Sequence, residues 1–180
     1  IAIIFESLTP TQMASVDETT TINLSDTLFE NLSAAQVEEL VFVNESLSEG
    51  KIQSLASQTI KDLSHTYLIS IINDLLEAQV WEIESTQLDN FIPTEIGALE
   101  TKTTNVNSPT ITYFSKAQME SLEKEQIQAA ILEWTLTQIQ AITSSQLSLF
   151  LDTEITAMPT ASLVQLTPTQ LSYLTPTQVH

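Results

Sequence analysis

The sequence lacks cysteine and arginine altogether and has only two glycines among its 180 residues. Without cysteine, neither a disulfide scaffold nor a thiolate-ligated zinc or iron–sulfur site can form. Lys and Arg together number 5 against 23 Asp and Glu, which gives a net charge of −18. Such a surface repels phosphate groups, so we do not expect nucleic-acid binding, and anionic membranes are excluded for the same reason.

Long hydrophobic runs are missing as well. No run approaches the roughly 18–20 apolar residues that a membrane span requires. The apolar fraction of 42% is nevertheless close to that of a folded protein, so we expect a folded chain despite the charge. The chain starts with Ile1 rather than Met, so we expect a processed product or a fragment of a longer protein.

What the sequence has instead is an eight-residue repeat, plainest where Leu166-Thr-Pro-Thr-Gln-Leu-Ser-Tyr is followed by Leu174-Thr-Pro-Thr-Gln-Val-His. Each octad carries two large apolar residues three positions apart, termed here its first and second anchors. The anchor pairs are Phe5/Leu8, Met13/Val16, Phe29/Leu32, Val37/Leu40, Ile52/Leu55, Ile60/Leu63, Leu68/Ile71, Ile72/Leu75, Val80/Ile83, Leu88/Phe91, Ile96/Leu99, Ile111/Phe114, Met119/Leu122, Ile127/Ala130, Ile131/Trp134, Ile139/Ile142, Leu147/Phe150, Ile155/Met158, Leu163/Leu166 and Leu171/Leu174, with Val179 opening another pair.

The eight-residue spacing excludes one continuous helix. A helix turns about 100° per residue, so eight residues overshoot two turns by about 80° and the apolar stripe would wind around the helix. In a strand, anchors three apart would point to opposite faces, which suits only a sheet buried on both sides. We therefore expect one short helical turn per octad. Because such a turn is unstable alone, octads must stack into an all-α solenoid with a shared core.

Capping signals mark where each turn begins. Ser, Thr, Asp or Asn is common four residues before the first anchor, and Gln or Glu is common directly before it, at what we term the pre-anchor position. These two residues have the spacing of a capping box. Both halves are present at Thr9/Gln12, Ser33/Gln36, Ser115/Gln118, Thr135/Gln138, Thr143/Gln146, Thr167/Gln170 and Thr175/Gln178. We expect anchors such as Trp134 to line the interior, and the Thr, Ser, Gln and Glu positions to face water.

The octad spacing slips twice and is interrupted once. Ile72 follows directly after Ile71, and Ile131 directly after Ala130, which is an ordinary amphipathic helix pattern. The predicted longer helices lie near residues 65–78 and 116–134, with a third near 33–43. Residues 100–110 carry no anchors and are expected to form a loop. This loop separates two runs of octads, 1–99 and 111–180, which we expect to form one continuous stack; two separate domains are the alternative.

The octad Thr-Pro-Thr-Gln-Φ-x-x-Leu, where Φ is apolar, resembles a known type of repeat. Very large bacterial surface proteins described as adhesin-like carry tandem arrays of Leu-Thr-x-x-Gln-Val/Ile-x-x-Leu. The similarity covers most of residues 5–179 outside the loop and is closest at 135–179. It implies an extracellular, repetitive, non-enzymatic protein. Leu-Thr-x-x-Gln also occurs in periplasmic stress-response chaperones, but sparsely and on long helices.

The sequence gives little support for a catalytic site. A catalytic triad would need His65 with Asp62 or Asp74, and no glycine-rich nucleophile motif surrounds any serine. His180 is the only other imidazole and falls at a variable octad position. Adjacent carboxylates such as Glu38/Glu39 are expected on solvated faces, since a solenoid of short turns offers no obvious cleft. We therefore assign no catalytic, cofactor-binding or metal-binding residues.

Metal binding and surface binding have weak support in the sequence. The negative charge attracts divalent cations in general, but no Asp-x-Asp-x-Asp-Gly loop is present, so calcium is only weakly supported as a partner. Thr-Pro-Thr at 167–169 and 175–177 could present a flat face to ice or glycans, unless the first Thr of each is used as an N-cap. Trp81 and Tyr173 lie outside the anchor register and are candidate contact residues.

The sequence thus predicts a structural or adhesive protein of the bacterial cell surface or extracellular space. It would act as a stalk, a spacer or a filament subunit that associates through its solenoid ends. The alternative is a binding module that uses one repeated face for glycan, ice or chaperone-like binding. An enzyme is not expected, and neither is a cofactor.

Overall fold

A computed structural model describes residues 5–40, 47–99, 110–131 and 134–178. Within these ranges all regular structure is helical and no strand occurs, so the predicted all-α class is confirmed. The chain forms two compact bodies, an N-terminal body of residues 1–83 and a C-terminal body of residues 84–180. The predicted division at the loop stays a prediction, since residues 100–109 lie outside the described part.

The described part of the N-terminal body contains eight short α-helices and one 3₁₀ turn. The helices are α1 Pro10–Met13, α2 Glu18–Ile22, α3 Asp26–Phe29, α4 Ala34–Glu38, α5 Glu49–Gln53, α6 Ser57–Asp62, α7 His65–Ile71 and α8 Glu77–Val80, with the 3₁₀ turn at Ile72–Asp74. The described part of the C-terminal body contains nine more helices and a 3₁₀ turn at Thr110–Tyr113. These helices are α9 Ser85–Leu88, α10 Pro93–Ala98, α11 Lys116–Ser121, α12 Lys124–Ala129, α13 Leu136–Ala141, α14 Ser144–Ser148, α15 Asp152–Ala157, α16 Thr160–Leu163 and α17 Pro168–Leu171.

The predicted caps start these helices. In α13, Thr135 lies in the extended region and its hydroxyl accepts the N–H of Gln138 at 3.3 Å, while Gln138 Oε1 accepts the N–H of Thr135 at 3.0 Å. Five of the seven predicted capping boxes form in this way. At Ser33 only the glutamine half forms, with Gln36 Oε1 accepting the Ser33 N–H at 2.9 Å. At the seventh, Gln178 Oε1 accepts the N–H of Thr175 at 2.7 Å, in a turn. Pro10, Pro93 and Pro168 each occupy the first helical position, as the missing proline N–H permits.

The anchors form the core of each body. Nearly all described anchors are buried, and Trp134 is only 5% exposed, which confirms its predicted place in the core. Leu8, Val16, Ile131, Leu163 and Leu174 are half-buried, and Leu171 is exposed.

Two expectations are wrong. No described helix exceeds seven residues. Residues 65–78 hold α7, the 3₁₀ turn and the start of α8, residues 116–134 hold α11 and α12, and α4 ends at Glu38, with residues 41–43 and 132–133 outside the described part. The closely spaced anchors therefore mark shortened octads rather than longer helices. The second error concerns the pre-anchor glutamines, which were expected in water: eight of them are buried, namely Gln36, Gln79, Gln118, Gln126, Gln138, Gln146, Gln170 and Gln178.

Most helix contacts within each body follow one offset. In the N-terminal body α1 packs against α4, and in the C-terminal body α9 packs against α11, α10 against α12, α11 against α13 and α14 against α17. Counted in anchor pairs, with Thr21/Leu24 filling the gap in the N-terminal run, these partners are three octads apart. The later helix of each of these pairs therefore packs on the third octad before it. The contacts of α3 with α5 and of α4 with α6 span two anchor pairs, across residues 41–46 that lie outside the described part.

Candidate functional site

The recurring polar structure of both bodies is a bridge made by the buried pre-anchor glutamine. Gln138 shows its geometry: Oε1 accepts the N–H of Thr135, and Nε2 donates to the carbonyl oxygens of Ile111 at 2.8 Å and Phe114 at 3.0 Å. Ile111 and Phe114 are the two anchors of an earlier octad. One side chain thus starts its own helix and ties that helix to a distant part of the chain.

The same bridge is made by seven glutamines. Their Nε2 atoms donate to anchor carbonyls as follows: Gln36 to Leu8, Gln79 to Ile52 and Leu55, Gln126 to Leu88 and Phe91, Gln138 to Ile111 and Phe114, Gln146 to Met119 and Leu122, Gln170 to Ile139 and Ile142, and Gln178 to Phe150. These seven bridges are all 2.6–3.0 Å long and engage carbonyls 24 to 38 residues earlier.

The distance along the chain varies, but the distance in octads does not. Every one of the seven bridges reaches the fourth octad before its own. Gln138 spans 27 residues to Ile111 because its interval contains the shortened octad at Ile127/Ala130. Gln170 spans 31 residues to Ile139, the value for four complete octads counted from the pre-anchor position. Gln126 spans 38 residues to Leu88 because residues 100–110 intervene.

Shorter side chains at the pre-anchor position make the same kind of contact. Thr59 Oγ1 donates to the carbonyl of the anchor Leu32 at 2.7 Å, and Ser162 Oγ donates to that of Ile131 at 3.3 Å. Lys51, also at this position and buried, donates from Nζ to the Ile22 carbonyl at 3.2 Å and lies 3.7 Å from Asp26 Oδ1. Thr59, Ser162 and Lys51 thus donate from the pre-anchor position as the glutamines do.

Glu154 is one of two glutamates at the pre-anchor position, and an ionised carboxylate cannot donate. Its octad is the fourth after Ile127/Ala130, and the Ile127 carbonyl instead accepts the indole Nε1–H of Trp134 at 3.0 Å. The Glu154 carboxylate accepts the Leu151 N–H at 2.6 Å and pairs with Lys124 Nζ at 3.3 Å. A tryptophan and a lysine together thus replace the missing amide.

These contacts shift the titration of both partners. The pKa of Glu154 lies below its ordinary value because the Leu151 N–H, the Gln128 side chain and Lys124 all stabilise the carboxylate. The pKa of Lys124 is raised, first by its hydrogen bond to Glu154. Two other carboxylates bond to the starts of helices: the exposed Asp17 caps α2 by accepting the Thr20 N–H at 2.9 Å, and Glu38 accepts the N–H of Ser64, the N-cap of α7, at 2.6 Å.

The residues weighed for catalysis lie on three separate elements. Asp62 ends α6, His65 begins α7 and Asp74 ends the following 3₁₀ turn, whereas His180 lies outside the described residues. In the part of the chain that the structure describes, no cluster of three or more His, Asp or Glu side chains is placed to hold a metal ion. No helix in that part is long and apolar enough to cross a membrane.

The surfaces weighed for binding are mixed in character. The Thr167 hydroxyl is used in a capping box, donating to Gln170 Oε1 at 3.0 Å, and the Thr175 hydroxyl lies 2.9 Å from that of Thr177. Trp81 is 56% exposed and Tyr173 is also exposed. The C-terminal body has a shallow cleft of about 250 Å³, lined by Gln128, Ile131, Thr153, Glu154, Ala157 and Met158.

Comparison with known proteins adds no assignment. No family model, curated protein or solved structure matches the chain. The function is therefore inferred from the bridges, the surface charge and the cleft.

Proposed function

We propose that this chain is a non-enzymatic structural repeat protein of the bacterial cell surface or extracellular space. Its octads would coil into an all-α solenoid that serves as a stalk, spacer or self-assembling filament subunit. The observation that carries this proposal is the constant offset of the glutamine bridges, four octads in each case although the intervening chain changes length. An offset counted in repeats rather than residues is what a stack of equivalent repeats requires.

The two offsets define the proposed coil. Most helices pack on the third octad before them, whereas the glutamine at the start of a helix reaches the anchors of the fourth. A turn of the solenoid would therefore contain between three and four octads. With helices about 8–10 Å apart from turn to turn, such a solenoid would lengthen by that distance for every three to four octads.

The surface chemistry also suits a spacer. A net charge of −18 gives neighbouring rods strong mutual repulsion, which opposes lateral aggregation. The side chains that carry the repeat are used internally: anchors pack the core, and the caps and glutamines bond to backbone. The repeated residues would therefore maintain a shape rather than perform a reaction.

Small-angle X-ray scattering tests the proposed shape. A compact globule of 180 residues has a radius of gyration of about 16 Å. An elongated stack of octads would give a larger radius and a pair-distance distribution skewed to long distances. A symmetric distribution with the smaller radius would exclude the stalk.

Location needs its own experiment, because shape does not fix it. Antibodies against the purified chain should label intact cells of the source organism as strongly as permeabilised ones. Labelling only after permeabilisation would exclude a surface role, whatever the shape of the molecule.

The second candidate function is a binding module, supported by the cleft in the C-terminal body. Ile131, Ala157 and Met158 give it an apolar lining large enough for one side chain of an unfolded protein. If the module is chaperone-like, the chain should suppress aggregation of a heat-unfolded test protein. Ala157→Trp, which fills the cleft, should abolish that suppression. An equal effect of wild type and variant would exclude the cleft as the site.

A further inference from the structure

Two consecutive octads of the C-terminal body lack the glutamine bridge. Their first anchors are Ile155 and Leu163, and their pre-anchor residues are Glu154 and Ser162. The two octads before them and the two pre-anchor positions after them carry glutamines, whose bridges are 2.6–3.0 Å long: Gln138, Gln146, Gln170 and Gln178. Residues 151–166, which contain α15 and α16 and are termed here the flap, are therefore held differently from their neighbours.

The polar contacts between the flap and the rest of the body are long. Glu154 also meets the side chain of Gln128, and the other contacts within the described residues are 3.3–3.5 Å. They join Lys124 Nζ to the Glu154 carboxylate at 3.3 Å, Ser162 Oγ to the Ile131 carbonyl at 3.3 Å, Gln140 Nε2 to the Gln165 carbonyl at 3.5 Å and Thr175 Oγ1 to Asp152 Oδ1 at 3.5 Å. Gln165 Oε1 is buried without a hydrogen-bond partner, which disfavours the closed position of the flap.

Apolar packing is also incomplete along the flap. The shallow cleft of the C-terminal body lies at its edge, with flap residues on one side and Gln128 and Ile131 on the other. Met158, which lines the cleft, is 9% exposed and Leu163 is half-buried, whereas Leu147 in the preceding octad is fully buried. Burial of apolar area therefore stabilises the flap less than it stabilises the octads before it.

The octads on the two sides of the flap are held to each other directly. Helix α14, before the flap, packs against α17, after it. Gln170 Nε2 donates to the Ile142 carbonyl and Gln178 Nε2 to the Phe150 carbonyl, both at 2.7 Å, so these bridges bypass the flap. The flap can therefore leave the body without separating the octads that flank it.

We propose that the flap opens as one unit while residues 135–150 and 167–178 stay packed. Local opening begins where buried contacts and hydrogen bonds are weakest, and within the C-terminal body the flap has both weaknesses. The open state uncovers Ile155 and Met158 and extends the cleft over the anchor Ile131. The C-terminal body thus has a second conformation that presents apolar surface, which goes beyond both proposed functions and depends on neither.

Hydrogen exchange of the full chain, followed by mass spectrometry under native conditions, is the measurement. Amides of residues 151–166 should exchange about tenfold or more faster than those of residues 135–150 and 167–178. Ser162→Gln supplies an Nε2 donor at the four-octad offset from Ile131, so it should slow exchange of the flap by about tenfold. The matched control is Ala161→Gln, at an exposed position of the same helix, which should change exchange by less than about twofold.

Three results would overturn the proposal. Equal protection of residues 135–178 would mean that the flap is as firmly held as its neighbours. Loss of protection in residues 167–178 together with the flap would contradict direct contact between the flanking octads. Equal exchange in Ser162→Gln and Ala161→Gln, with circular dichroism showing both folded, would mean that the missing bridge does not set the opening.

Discussion

Gln126 donates from Nε2 to the carbonyl oxygen of Phe91 at 2.7 Å, although 35 residues of chain separate the two. The corresponding bridge from Gln170 to Ile142 spans 28 residues and has the same length. The additional seven residues fall in the interval that contains residues 100–110. The glutamine bridge between octads is therefore independent of the length of the chain that connects them.

Removal of residues 101–107 should leave the fold and its stability intact. The deletion gives Gln126 the spacing that Gln170 already has, and a shorter connection costs slightly less entropy to close. Urea unfolding should show an unchanged or slightly higher midpoint. Deleting residues 143–149, also seven, is the control, because it removes the Gln146 bridge and should lower the midpoint strongly. Equal loss of stability in both deletions would show that residues 101–107 contribute to the core.

Gln138→Leu should destabilise the chain by about 3 kcal/mol. The substitution leaves the part-buried Thr135 N–H and the Phe114 carbonyl unpaired, whereas the Ile111 carbonyl keeps the Phe114 N–H as a donor. A buried unpaired group costs about 1–3 kcal/mol. Gln140→Leu, on the exposed face of the same helix, should change stability by less than about 0.5 kcal/mol. Chemical denaturation measures both. A similar small effect at both positions would mean that the bridge contributes nothing.

The difference between Gln138 and Gln140 shows how much of the structure can be predicted from the sequence. The apolar periodicity predicts the anchors, because the eight-residue spacing of Ile139 and Leu147 indicates that both are buried, as they are. The capping box is also local, and it accounts for Oε1. The Nε2 bond is not local, so Gln138 was predicted to face water. A signal was nevertheless present: Gln occupies the pre-anchor position ten times and Glu twice, although a capping box accepts either. Only the amide can donate.

The shortened octads were beyond sequence reasoning for a similar reason. Leu68, Ile71, Ile72 and Leu75 have the same spacing whether one helix continues or one octad loses four residues. The structure ends α7 at Ile71 and follows it with a 3₁₀ turn. What decides between the two readings is the bridge from Gln79 to Ile52 and Leu55, which needs the octad count kept at four. That constraint comes from a tertiary contact, so the spacing of neighbouring residues does not reveal it.

Thr135→Ala should cost about 1 kcal/mol, the usual effect of a lost N-cap side chain. The Thr135 hydroxyl accepts the Gln138 N–H at 3.3 Å and donates to its Oε1 at 3.0 Å. Thr137→Ala within the same helix is the control and should be neutral or slightly stabilising, since alanine is the better helix former. Thermal unfolding followed by circular dichroism separates the two. If Thr137→Ala lost as much stability as Thr135→Ala, helix α13 would not begin at Leu136.

Trp134→Ala should cost about 3–5 kcal/mol, because it removes a large core side chain. The ring packs near Phe114, with centroids 6.3 Å apart, and its Nε1–H is the donor to the Ile127 carbonyl. Trp134→Phe keeps most of the volume and loses the donor, so it should cost about 1–3 kcal/mol. Trp81→Phe, at an exposed tryptophan, is the comparison and should have little effect. A surface-like cost at Trp134 would contradict the anchor register.

Acid should weaken the contact between Glu154 and Lys124 specifically. Because folding lowers the pKa of Glu154 below 4.5, the folded chain binds that proton less tightly than the unfolded chain. The stabilisation is therefore present above pH 4.5 and is lost as the pH falls through the lowered value. Lys124 behaves in the opposite sense: its raised pKa gives stability below pH 10.5 that is lost as the pH rises through the higher value.

Neutralising the other carboxylates also relieves repulsion, so the effect of acid on wild type must be compared with its effect on variants. In Glu154→Gln, urea midpoints between pH 3 and 7 should fall less on acidification than in wild type, whereas Glu123→Gln, at an exposed N-cap, should follow wild type. Parallel curves for all three chains would mean that the Lys124–Glu154 pair does not contribute to stability.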